Sequence, residues 1–143
     1  MRRTLTVGIV AFGLLAGCTA GYDIGMKVEK SPQDFEIMIG SFDGSMALIH
    51  GSPKDATITA TNGDLTCNGV SNSGTFSTDM SKNKVKHLFK VTCSDGRTGD
   101  LMASITARPQ GYGVGIFGAG SGKLNDGSKI KVVFGDASGT LDW

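Results

Sequence analysis

Three glycine-bearing turn signals, each flanked by short runs of alternating apolar and polar residues, constrain this chain more than any other feature. Asn62-Gly63 separates Thr57-Ile58-Thr59-Ala60-Thr61 from Asp64-Leu65-Thr66-Cys67. Asp95-Gly96 separates Val85 to Cys93 from Leu101 to Ala107, and Asn125-Asp126-Gly127 separates Tyr112 to Leu124 from Lys129 to Phe134. Asn-Gly and Asp-Gly turn tightly because the backbone there needs positive φ, and type I′ is the turn they favour between paired strands. Consecutive hairpins of this kind build an antiparallel meander, which must curl into a small barrel or pack as a sandwich to cover its apolar face. The chain therefore reads as mostly β. Its composition agrees: 22 of 143 residues are Gly, only three are Pro, and aromatics are 7%. With no G-X-Y period, collagen and Pro-rich disorder are excluded, and a helical bundle is disfavoured. The length suits one domain.

Upstream of the hairpins, Tyr22, Ile24, Met26 and Val28 alternate with Asp23, Gly25, Lys27 and Glu29, the pattern of a strand with one buried face. Ser31-Pro32-Gln33-Asp34 then has the form of an N-cap, a first-turn proline and an early acid, with Gly40 as a stop. It predicts a short helix over residues 32–39. Phe35, Ile37 and Ile39 also alternate, so a strand competes for the same residues.

The first residues set the expected compartment. Arg2 and Arg3 precede an uncharged run from Val7 to Ala16, the layout of an export signal too short to span a hydrocarbon core of about 20 residues. Leu15-Ala16-Gly17-Cys18 fits the lipobox at all four positions, and in this the chain resembles bacterial lipoprotein precursors. The resemblance implies removal of residues 1–17, diacylglyceryl and acyl groups on Cys18, and a single lipid-anchored domain over 18–143. More than one acyl chain anchors a protein stably. By the same resemblance, Asp after the lipidated cysteine would imply retention in the inner membrane, and Thr19 in that position implies the outer membrane as the destination.

With Cys18 assigned to lipid, Cys67 and Cys93 remain as a pair in an oxidising compartment. Leu65 and Cys67 share parity, as do Val85, Phe89, Val91 and Cys93, so both cysteines are expected to point inward. Zinc would have only His50 and His87 to recruit beyond these, and neither metal nor cofactor is implied. The segment from Leu65 to Asp100, with its two cysteines, resembles small uncharacterised exported β-domains, a likeness that carries no activity.

The remaining motifs weigh little. Gly113 to Gly118 spells G-x-G-x-x-G, but no helical pattern follows to present amides to a pyrophosphate. A bent strand or a close backbone approach at Gly111, Gly113 and Gly115 is the better account. His50 falls at a strand end and His87 on a core-facing parity. No G-x-S-x-G accompanies them, so no catalytic residue is assigned. Lys82, Lys84, Lys86 and Lys90 share parity along one strand and form the most localised charge, read as a solvated or edge-protecting face or as a contact for an anionic envelope surface. Aromatics do not interleave with these lysines, which speaks against nucleic acid. The expectation is an envelope lipoprotein acting by binding or assembly, with a membrane, an envelope protein or an anionic surface as partner. The alternatives are a small lipid-anchored periplasmic hydrolase and an inhibitor of a host hydrolase.

Overall fold

The computed structural model describes residues 22–44, 55–72, 76–79, 84–110 and 113–135. Cys18, His50 and Lys82 lie outside them. The described residues form β1 (Tyr22–Ser31), β2 (Asp34–Asp43), β3 (Ala56–Thr61), β4 (Thr66–Ser71), β5 (Phe76–Asp79), β6 (Lys84–Cys93), β7 (Thr98–Gln110), β8 (Gly113–Leu124) and β9 (Lys129–Phe134). Every pairing is antiparallel. β9 returns to β1 with Met26 opposite Val132, and β4 pairs with β6 with Cys67 opposite Cys93. These two seams close an eight-stranded barrel. β5 pairs with residues 84–87 of β6 and β4 with residues 90–93, so the two short strands share one edge of a long one. Between barrel and sandwich, which the sequence leaves open, closure satisfies the backbone groups that free edges would expose.

The helix expected over 32–39 does not form. Ser31 pairs with Asp34 across a two-residue connection, Pro32-Gln33, and β2 is laddered to β1 on one side and β3 on the other. A local capping signal is worth about 1 kcal/mol, less than two flanking ladders supply. The competing strand is the one observed, with an unexpected facing. Register with β1 puts Met38 opposite Met26, so Met38 and Phe42 point inward while Ile37 and Ile39 stand outside, 54% and 66% exposed.

The turns fall where the signals are, but none of the three is the two-residue type I′ turn expected, since Asn62-Gly63, Asp95-Gly96 and Asp126-Gly127 do not occupy the two centre positions. Residues 62–65 form a four-residue loop instead of a two-residue type I′ turn: the Asn62 amide donates to the Leu65 carbonyl, and Asn62 Oδ1 accepts from the amides of Asp64 and Leu65. Leu65 thus leaves the strand yet stays buried. The other two turns are copies of each other. Gly96 and Gly127 each donate to the carbonyl three residues back, from Cys93 and Leu124, and each takes positive φ, +89° and +84°. A side chain at either site would strain the turn.

Inside the barrel, Ile24, Met26, Ile58, Leu101, Ile105, Ile130 and Val132 fill the wall's inner face, and Phe42 meets Phe134 edge-on at 5.3 Å. Each such side chain contributes about 1.5–3 kcal/mol by leaving water. Apolar residues inside and lysines outside are the reverse of a barrel that spans lipid. Gly111, where a bent strand or close approach is expected, lies outside the described residues; close approach is seen at other glycines of β8. A Cβ on Gly118 or Gly122 would fall 2.2 Å from the Ser104 carbonyl oxygen or 1.8 Å from that of Asp100, so β8 coils tightly against β7 only because these positions are bare.

Candidate functional site

Strand order turns lysines far apart in sequence into one surface. Outward residues on β6, β7, β8 and β9 form cross-strand rows. Lys90, Asp100, Lys123 and Lys129 make one; Leu88, Met102, Ser121 and Lys131 the next; Lys86, Ser104, Ala119 and Val133 a third. In the second and third rows the middle strands carry the small side chains of Ser104, Ala119 and Ser121 beside the larger Met102, while Lys86 and Lys131 stand at the flanks. A groove of about 470 Å³ results, floored by Ser104, Ala119, Gly120 and Ser121 and walled by Met102. The Ser104 hydroxyl oxygen is buried there and has no hydrogen-bond partner among the described residues.

Charge is segregated around the wall. On β6 to β9, Lys84, Lys86, Lys90, Lys123, Lys129 and Lys131 face a single carboxylate with a described side chain, Asp100, which pairs with Lys90 at 2.7 Å. On β1 to β4, Asp23, Glu29, Asp34, Glu36 and Asp43 outnumber Lys27 and Lys30, and Lys30 is ion-paired with Glu36. Asp79 on β5 stands opposite Lys84 in register. A nearly neutral chain therefore presents a basic half and an acidic half, and like charges gathered on one side produce a field that the net charge conceals.

Of the expected lysines, Lys84, Lys86 and Lys90 do share the outer face of β6, but Lys90 is tied to Asp100. The sequence reading missed Lys123, Lys129 and Lys131. Their outward parity on β8 and β9 was available; that those strands lie beside β7, and so near β6, was not.

Behind this wall, the structure brings together two residues the sequence did not associate. Ser71 Oγ lies 3.0 Å from His87 Nδ1, both residues fully buried. The imidazole sits beside Phe42 and Phe89, ring centroids 6.3 and 5.6 Å away. Burial pushes its pKa down from 6.5 to about 4, so it is neutral at physiological pH. A serine and a histidine at this distance have the parts of a nucleophile and base. Their place inside the packed barrel makes them a buried polar pair in which Ser71 Oγ and His87 Nδ1 satisfy one another.

At the turn end, Arg97 binds several loops together. Nε and Nη2 donate to Asp95, and Nη1 donates to the Glu29 carbonyl at 2.8 Å and to Ser128 Oγ at 3.1 Å. The hydrogen bond from Arg97 holds the Asp95 carboxyl below its usual range, and bonds from Ser128, its hydroxyl first, do the same for Asp126. Glu29 in turn accepts the Lys129 amide. Cys67 and Cys93, inward-facing as expected, are disulfide-bonded directly across the β4–β6 seam.

No protein-family model, curated protein or solved structure matches this chain. The reading of its function rests on the wall, the groove and the sequence that precedes them.

Proposed function

We propose that this chain is a lipid-anchored module of the bacterial cell envelope, destined for the outer membrane, that works by contact through its outer wall. The observation that carries this reading is the concentration of six lysines on one half of a closed barrel whose interior is packed with side chains. A sealed interior leaves the outside to meet a partner, and a one-sided charge selects anionic surfaces. The lipobox ending at Cys18 and the disulfide between Cys67 and Cys93 support the exported, anchored part of the reading. The test is the intact, non-reduced mass of the protein extracted from its own membranes. The expected mass is that of residues 18–143 plus acyl groups, less two hydrogens for the bridge. A full-length, unlipidated mass with free thiols overturns the proposal.

The contact between Ser71 and His87 favours a second reading, a small lipid-anchored hydrolase. In that case a fluorophosphonate probe would label Ser71 in the folded protein. Absence of labelling, with the barrel intact by circular dichroism, removes this reading, as the burial of the pair leads us to expect.

A further inference from the structure

We propose that the barrel lies on its side against the membrane that anchors it, with the β6–β9 wall facing anionic phospholipids and a headgroup phosphate seated in the groove between Lys86 and Lys131. This deepens the reading of an anchored contact module and rests on it.

Three observations converge. The first is reach: Cys18 precedes Tyr22, the first residue of β1, by four residues, a span of at most about 14 Å. β1 is hydrogen-bonded to β9, so the anchor is attached at the border of the basic half. From β1 to β8, where the groove floor lies, is two strand spacings of about 4.8 Å. A tether of this length keeps that wall within touching distance of the lipid surface.

The second is sign. An anionic surface attracts the β6–β9 half and repels the half bearing Asp23, Asp34, Glu36 and Asp43. Standing the barrel on its open end would instead press Asp23, Asp43 and Asp55, near the starts of β1 and β3 and the end of β2, toward the phosphates. Lying on its side separates the acids from the membrane and turns the basic half toward it.

The third is shape. The groove is bordered by ammonium groups from two strands, and its floor holds the Ser104 hydroxyl, which is buried and has no partner among the described residues. Met102, 49% exposed, supplies an apolar wall beside it. Two cations, a hydroxyl donor and an apolar flank suit a phosphodiester with the start of its glyceryl chain.

Lysine footprinting of the complete lipidated protein tests this. The protein is reconstituted into phosphatidylcholine vesicles with or without about one-third phosphatidylglycerol, and acetylation of each lysine is timed by mass spectrometry. On the anionic vesicles Lys86 and Lys131 are expected to react about five-fold more slowly, and Lys30 at an unchanged rate. Raising the salt should erase the difference. A Lys86→Glu, Lys131→Glu variant should lose the protection of Lys123 as well. Equal rates on the two vesicle types overturn the proposal while leaving the anchored reading standing. Protection only in native membranes also overturns it and assigns the wall to a protein partner. A protein without acyl groups is seen beforehand by its mass, and then the anchored reading fails first.

Discussion

The β1–β4 and β6–β9 halves of the barrel share one inner chemistry and differ in the outer one. Inside, each supplies aliphatic and aromatic side chains at alternate positions, and the two sets interlock where Phe42 of β2 meets Phe134 of β9. Outside, one half is acidic and the other basic. The inner face is constrained by packing, where every methylene matters, while an outward residue on a strand tolerates almost any polar side chain. The outer wall departs from an even mixture of charges on β6 to β9, a departure that packing of the core does not call for, and contact with an anionic partner is the reason proposed for it.

Experiments that break this comparison should be largest where the halves join. Phe134→Ala removes the ring that spans them and should destabilise by about 3–5 kcal/mol, read by denaturant unfolding. Replacing both Cys67 and Cys93 by Ala opens the other seam, which a 26-residue separation puts at about 3.5 kcal/mol in the chain-entropy model. Reduction of the native protein should lower the midpoint by a comparable amount. His87 makes the interior sensitive to acid. Its folded pKa of about 4 lies below the unfolded 6.5, so the unfolded chain binds the proton more readily. Stability is full above about pH 6.5, falls as pH drops, and levels off below about 4, a loss of roughly 3 kcal/mol. Thermal melts from pH 7.5 to 4 check the slope, and a His87→Leu variant should flatten it.

Smaller effects sharpen the contrast. Arg97→Ala unties the Glu29 carbonyl from the β6–β7 and β8–β9 turns and should lower stability by about 1–3 kcal/mol. The Lys86→Glu, Lys131→Glu variant should change stability by less than about 0.5 kcal/mol while reversing the attraction to anionic vesicles. Loss of folding in that variant would show that the outer wall is structural after all.

Much of the architecture was legible because strand alternation and glycine turns are local. The strands flanking Asp95-Gly96 and Asn125-Asp126-Gly127, the inward cysteines and the core position of His87 all follow from parity and turn chemistry. Over the residues from Pro32 to Ile39 the sequence leaves helix and strand in competition, because a proline near an N-cap looks the same before a helix and in a hairpin. Only the ladders to β1 and β3 decide between them. Ile37 and Ile39 show the same limit at finer grain: alternation gives the period, but the partner strand sets which face is in. The candidate site was half visible, since Lys84, Lys86 and Lys90 share a strand, whereas Lys123 and Lys131 join them only through the order of strands.

By itself, the sequence determined an antiparallel β chain, the places of its turns and its inward cysteines, because each rests on residues within a few positions of one another. Tertiary structure decided the closure of the barrel, the meeting of Ser71 with His87 and the gathering of lysines into one wall. Those depend on which strands lie side by side, and the free energy that selects a neighbour comes from burying both faces of a pairing whose members are remote in the chain.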